Sequence, residues 1–349
     1  MPGTLFFLSS GLFMGWSLGA NDGANIFGTA VATRMVRFRT AAIIAGIFII
    51  LGAVSGGAGV SETYGQLGAV NALPGAFTVA FSAAFTVLWM TRMGLSVSTS
   101  QAIVGGIVGW NLFSQTPTDM NILYRIMGTW VFAPLLGALF AAILYFLIRR
   151  FLSRTRIHLL RLDNYTRLAL LAAGAFGAYS LGMNNIANVM GVFVHASPFR
   201  DLSLGAGLVF TGVQQLFLLG GVAMAAGIIT YSRKIMMTVG AEIYTLSPVT
   251  AFIVVLAASL VLFVFGSQGL QAWLLALGLP AFPLVPVSQS QAVVGAVMGI
   301  GLARGGKNIN FTLLGRIGLG WIATPAATAL LTYIALFFMQ NVFMQPVYF

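Results

Sequence analysis

Apolar runs of roughly 17 to 25 residues, the length a helix needs to cross about 30 Å of hydrocarbon, recur along this chain from end to end. In hydrocarbon every backbone N–H and C=O must find a partner inside the protein, so only helices and closed barrels can span it. The runs lack the period-two alternation of barrel strands. With 59% of its 349 residues hydrophobic, 7% charged and a mean hydropathy of +0.96, the chain reads as an all-α polytopic membrane protein with no soluble domain left over.

A net charge of +11 could point to nucleic acid. The basic residues, however, lie in short segments between apolar runs, and no aromatic-studded basic face is formed, so no nucleic-acid partner is expected. They follow instead the rule that cytoplasmic loops carry the excess Lys and Arg. Residues 4–20 form an apolar run without a preceding Lys or Arg and are expected to be a retained span. The absence of cysteine excludes disulfides and thiolate metal sites.

Taken in order, the first span begins near Thr4, is expected to break at Gly19 to Asn25, and resumes to Arg34, Arg37 and Arg39 in the cytoplasm. Crossings are expected at 41–60, 74–90, 95–113 and 126–148. The segment 149–167, with Arg149, Arg150, Arg154, Arg156, Arg161 and Arg167, reads as a basic cytoplasmic linker. Five more crossings follow at 168–194, 203–226, 249–265, 287–302 and 313–339, with residues 267–285 as a re-entrant or interfacial loop. This places all but Arg125 and Arg200 of the 17 Lys and Arg inside, and both termini outside.

The two sets of five crossings carry the same strings. Leu18-Gly19-Ala20-Asn21-Asp22-Gly23-Ala24-Asn25-Ile26-Phe27-Gly28 returns as Leu181-Gly182-Met183-Asn184-Asn185-Ile186-Ala187-Asn188-Val189-Met190-Gly191. Val97-Ser98-Thr99-Ser100-Gln101-Ala102 returns as Val287-Ser288-Gln289-Ser290-Gln291-Ala292, and Arg125, Trp130 and Pro134 return as Arg316, Trp321 and Pro325. Because each copy makes an odd number of crossings, residues 1–148 and 168–349 are expected to be inverted-topology repeats, about 10 crossings in all or 12 if hairpins count separately.

Polar strings inside apolar runs are costly and call for a functional reason. A helix that starts inside the membrane offers free N–H groups to an anion, and one that ends there offers carbonyls to a cation. Ser98, Thr99, Ser100 and Gln101 with Ser288, Gln289, Ser290 and Gln291 are therefore the candidate anion site. Asn21, Asp22, Asn25, Asn184, Asn185 and Asn188 are the candidate coupling site, with Na⁺ at Asp22, Asn25 and Asn188 or a proton on Asp22. Each motif has a plainer reading. Serines at helix starts are commonly caps, and Gly105 with Gly109, and Gly295 with Gly299, are close-packing contacts. Glu62 and Glu242 sit at span ends, where solvation explains them. Capping alone does not require the same polar string in both halves.

These strings resemble those of the inorganic phosphate transporter family, whose marks are a repeated Gly-x-Asn-Asp-x-Ala-Asn and a repeated Pro-x-Ser-Thr-Thr-His. Thr238-Val239-Gly240 and Leu246-Ser247-Pro248 are similar to its second half. The resemblance implies a cation-driven symporter of a tetrahedral oxyanion that lies in a cell membrane as a homodimer, with the anion between the Ser/Thr hairpins and cations beside the Asn/Asp strings. Three positions depart from the pattern: Asn185 replaces the second Asp, and Gln101 and Gln291 replace the histidines. Phosphate near neutral pH carries a P–OH that wants an acceptor, whereas sulfate only accepts. The departures exchange acceptors for amides that can donate, and Gly-Met-Asn-Asn-x-Ala-Asn is similar to the bacterial sulfate-permease branch, so sulfate is favoured over phosphate. A passive anion channel would share the helix-end chemistry. A membrane enzyme is not expected, since no nucleophile–base pair stands in the repeated motifs, and no cofactor beyond the coupling ion is implied.

Overall fold

The structure is a computed structural model that describes residues 2–93, 97–155, 158–205, 208–233, 236, 247–305 and 311–349. Glu242, Thr238 to Gly240, Lys234 and Lys307 lie outside the described residues, as does the side chain of Arg316. Twelve α-helices account for most of what is described: α1 (Pro2–Ala32), α2 (Phe38–Gly56), α3 (Ala58–Leu67), α4 (Leu73–Arg92), α5 (Thr99–Ser114), α6 (Met120–Arg154), α7 (Leu159–Met190), α8 (Gly212–Thr230), α9 (Pro248–Gly266), α10 (Gln268–Ala276), α11 (Gln289–Ala303) and α12 (Phe311–Asn341). A small antiparallel ribbon, β1 (Leu202–Gly205) with β2 (Leu208–Phe210), precedes α8. The crossing expected from residue 203 therefore starts at Gly212, after the ribbon.

Seven helices, α1, α2, α4, α6, α8, α9 and α12, are long and apolar enough to cross a membrane. α7 has the length, with 32 residues, but carries the polar string. α5 and α11, with 16 and 15 residues, are too short to cross about 30 Å alone at about 1.5 Å per residue. The basic stretch 149–167 is largely absorbed into the end of α6 and the start of α7.

One expectation is corrected. α1 is unbroken from Pro2 to Ala32, so the first Asn/Asp string does not interrupt its helix. Its glycines serve packing rather than a break. A Cβ on Gly19 would run into the Met224 carbonyl of α8, and one on Gly23 would lie 2.6 Å from Ile228. The amide and carboxylate side chains point off a backbone that keeps its own hydrogen bonds, so a polar string needs no broken helix to be tolerated. A break is equally expected at the second string, and α7 likewise runs unbroken through Asn184, Asn185 and Asn188, ending only at Met190, where a 3-10 turn follows at Gly191–Phe193.

The helices pack by exchange between the two halves. α1 lies on α8 as α7 lies on α2, α5 lies on α12 as α11 lies on α6, and α4 touches α5 and α12 as α9 touches α11 and α6. The glycines explain the closeness of these contacts. A Cβ on Gly105 or Gly109 would strike the backbone of Pro325 or Ala329, and one on Gly295 or Gly299 would strike Pro134 or Ala138. The prolines that recur in the sequence thus sit in α6 and α12 opposite the glycines of the other half. Gly11 and Gly15 of α1 face Met190 and Val189, while Gly174 and Gly177 of α7 face Phe27 and Ile26, so α1 and α7 run antiparallel past each other. On the outside, α6 and α12 expose Phe132, Leu135, Leu139, Ile322, Leu330 and Phe337, the apolar surface that lipid requires.

Candidate functional site

The two Ser/Gln strings form the starts of α5 and α11, and both starts are buried in the protein. Ser98 and Ser288 have extended backbone and act as N-caps, their Oγ atoms accepting from the N–H of Gln101 at 3.3 Å and of Gln291 at 3.4 Å. The plainer reading of these two serines is therefore correct as far as it goes. A cap satisfies only one of the free donors at a helix start. The N–H groups of Thr99 and Ser100, and of Gln289 and Ser290, have no acceptor within their own helices and remain at the positive ends of the helix dipoles.

The two helix starts meet. Ser290 Oγ donates to the Val97 carbonyl at 3.3 Å and shares a hydrogen bond with Ser288 Oγ at 2.9 Å. Ser98, Ser100, Gln101, Gln289 and Gln291 are all buried. The amides of Gln101, Gln289 and Gln291 nevertheless contain buried atoms without a hydrogen-bond partner. Buried polar atoms are nearly always paired, so this concentration of unspent hydrogen-bonding capacity at two facing helix starts has the character of a binding site.

The chain before α11 reaches this place by an irregular path that follows the short helix α10. α10 has no buried residues, Leu279 is exposed, and Val285 and Val287 are fully buried. Irregular backbone is tolerated in a membrane protein when side chains supply its hydrogen bonds. Gln271 donates to the Phe282 carbonyl at 3.1 Å, Thr63 donates to Leu284, and Val285 N–H donates to Phe265 at 3.2 Å. Asn184 does most: its Nδ2 donates to the Val285 carbonyl at 3.1 Å and its Oδ1 accepts from Val287 N–H at 2.8 Å. That amide is committed to holding the segment in place.

Asn185, the next residue along α7, and Asn188, one turn further, join the Ser string of the first half. Asn188 Nδ2 donates to Ser100 Oγ at 2.9 Å and to Asn185 Oδ1 at 2.6 Å. Its Oδ1 accepts from the Tyr64 hydroxyl at 2.6 Å. Asn185 Nδ2 is buried and has no partner. Tyr64, on α3 and fully buried, lies between the crossings that the apolar runs predict at 41–60 and 74–90, where hydropathy gives no sign of it. The signal for it was present: Glu62-Thr63-Tyr64 recurs as Glu242-Ile243-Tyr244. Glu62 itself points outward, exposed as expected.

The first Asn/Asp string is arranged differently. Asp22 is 3% exposed and is the buried acid of the described residues. Its carboxylate receives a hydrogen bond from Asn21 Nδ2 at 3.4 Å. Asn21 and Asn25 are half-buried, and Asp22 and Asn25 share a helix face by their spacing of three. Among the described residues no hydrogen bond joins Asn21, Asp22 or Asn25 to Asn184, Asn185 or Asn188, although the helices that carry them cross. No group of three or more His, Cys, Asp or Glu stands together among the described residues. A hard cation such as Na⁺ would find its oxygens at the first string, whereas each amide oxygen of the second already accepts a hydrogen bond from protein.

Comparison with known proteins bears on the family and the fold. Residues 18–332 match the model of the phosphate transporter family. The chain is 26% identical to a proposed phosphate permease of Pyrococcus abyssi, over 95% of this chain and 97% of that one. It is also 26% identical to the sulfate permease CysP of Bacillus subtilis, over 93% of this chain and 84% of that one. Its fold is similar to a solved structure described as the sodium-dependent phosphate transporter, with a TM-score of 0.76 and 24% identity over 98% of this chain and all of the other.

Proposed function

Because the chain belongs to the phosphate transporter family, and so is a multi-pass membrane transporter and not an enzyme, we propose that it is a secondary-active symporter importing a tetrahedral inorganic oxyanion, sulfate in preference to phosphate. The observation that carries this is the pair of facing helix starts, with free N–H groups and unpartnered amides. Ser98 to Gln101 and Ser288 to Gln291 surround the anion, whose charge is met by dipoles and hydrogen bonds rather than by a buried Lys or Arg. Asp22, with Asn21 and Asn25, takes the coupling Na⁺ or proton, and the bound cation offsets part of the cost of bringing a dianion out of water.

The reciprocal packing and the antiparallel α1 and α7 support reading the halves as inverted repeats that rock about a central site. On that reading the protein lies in the cell membrane with its basic segments in the cytoplasm and both termini outside, as a homodimer. Phosphate remains the second substrate reading, favoured by the names of the archaeal relatives. Uptake of labelled sulfate into proteoliposomes, with phosphate as competitor, tests the substrate. Accumulation of sulfate with weak competition by phosphate is expected, and preferential accumulation of phosphate would reverse the assignment.

A further inference from the structure

Resting on that reading of the site, we infer that Tyr64 is a specificity-determining positioning residue: through Asn188 it fixes the Asn185 carboxamide so that the atom left for the anion is an N–H donor. The hydrogen-bond partners set the amide orientations. Tyr64 Oη donates to Asn188 Oδ1 at 2.6 Å, and Asn188 Nδ2 donates to Ser100 Oγ at 2.9 Å. With its oxygen held by Tyr64, Asn188 has two N–H groups to give, one to Ser100 and one to Asn185 Oδ1. Ser100 Oγ lies a further 3.5 Å from the same Asn185 oxygen. Both groups hold that oxygen inward, and the unpartnered atom is Nδ2.

The consequence is chemical. Gln101, Gln289 and Gln291 have unpartnered amide atoms, and each can turn either end of its amide toward a ligand, so they serve a donor or an acceptor equally. Asn185 cannot turn while Asn188 donates to it, and Asn188 cannot turn while Tyr64 donates to it. Sulfate, which only accepts, satisfies the fixed donor from any of its oxygens. A P–OH directed at Asn185 would set donor against donor and leave a buried group unpaired, which is the kind of mismatch that discriminates strongly. Without the Tyr64 hydroxyl the relay has a second consistent setting, in which Asn188 presents its oxygen to Ser100 and to Asn185 Nδ2 and the Asn185 oxygen faces the ligand.

Tyr64→Phe tests this, since it keeps the buried ring and removes only the hydroxyl. The full-length wild type and variant are reconstituted, and sulfate and phosphate are each titrated as competitors of labelled sulfate on the acid and alkaline sides of the second ionisation of phosphate. The wild type should prefer sulfate, most strongly on the acid side, where phosphate carries a second P–OH. Tyr64→Phe should narrow the preference about 10-fold and flatten its pH dependence, the effect of one hydrogen bond of about 1.4 kcal/mol. An unchanged ratio, or equal weakening of both anions, would reduce Tyr64 to a packing residue and overturn the inference. Should Tyr64→Phe not fold, Asn188→Asp addresses the same relay: the new carboxylate can only accept, so Asn185 must donate to it and present its oxygen, and the preference should shift toward phosphate. No shift there counts against the relay equally. A wild type that neither binds nor transports either anion refutes the transport reading itself, whereas a discriminating wild type with an indifferent variant refutes the relay alone.

Discussion

The two copies of the Asn-rich string are nearly the same in sequence and unlike in use. In the second, Asn184, Asn185 and Asn188 are completely buried, and their amides tie α7 to the irregular chain before α11, to the Ser string of the other half and to Tyr64. In the first, Asn21 and Asn25 are half-buried, and the one buried carboxylate receives a single long hydrogen bond from its neighbour. The difference between Asp22 and Asn185 is therefore more than one of charge. An amide can donate as well as accept, so the second copy ties protein segments together, while the first keeps a buried carboxylate with few partners.

If this division holds, the largest effect belongs to Asp22→Asn, which should abolish concentrative uptake while the folded protein remains. Uphill accumulation at the wild-type level in proteoliposomes would break the comparison at its strongest point. Next come the equivalent residues Asn184 and Asn21. Asn184→Ala strips a buried backbone N–H and carbonyl of their partners and should cost about 2–3 kcal/mol of stability. Asn21→Ala, at a half-buried position, should fall within about 0.5 kcal/mol. Thermal unfolding in detergent compares them, and equal losses would contradict the assignment of scaffold to one copy.

The glycines offer a control in which the copies should behave alike. Gly19→Ala and Gly182→Ala each drive a methyl into the carbonyl of a facing helix, Met224 in one case and Ile49 in the other. Both should lose about 1–3 kcal/mol by overpacking, read by the same unfolding measurement. A large effect in only one would show that the exchange of contacts between halves is less even than the packing implies. The smallest effects are expected of Ser98→Ala and Ser288→Ala, about 1 kcal/mol each from the lost cap, accompanied by weaker sulfate binding. Normal binding in both variants would leave these serines as caps alone.

Much of this was legible in the sequence for a definite reason. Hydrocarbon imposes its requirement locally, so apolar runs reveal the helices, and recurrence at distant positions reveals which parts of the halves correspond. The Gly105, Gly109, Gly295 and Gly299 contacts and the capping by Ser98 and Ser288 followed from spacing. Two features did not. Whether a polar string breaks a helix depends on what faces it, and α8, lying against Gly19 and Gly23, lets α1 run straight through. The commitment of Asn184 to residues 285–287 and the reach of Tyr64 to Asn188 span long separations in the chain, and no local pattern encodes which partner a buried amide finds.

The central claim, cation-driven transport of an oxyanion, is tested most directly by labelled sulfate uptake into proteoliposomes under an inward Na⁺ gradient and, separately, an inward proton gradient. The account predicts that at least one gradient drives sulfate above its external concentration and that collapsing that gradient releases it. Sulfate that only equilibrates, whichever gradient is imposed, would contradict coupling and identify a passive anion channel.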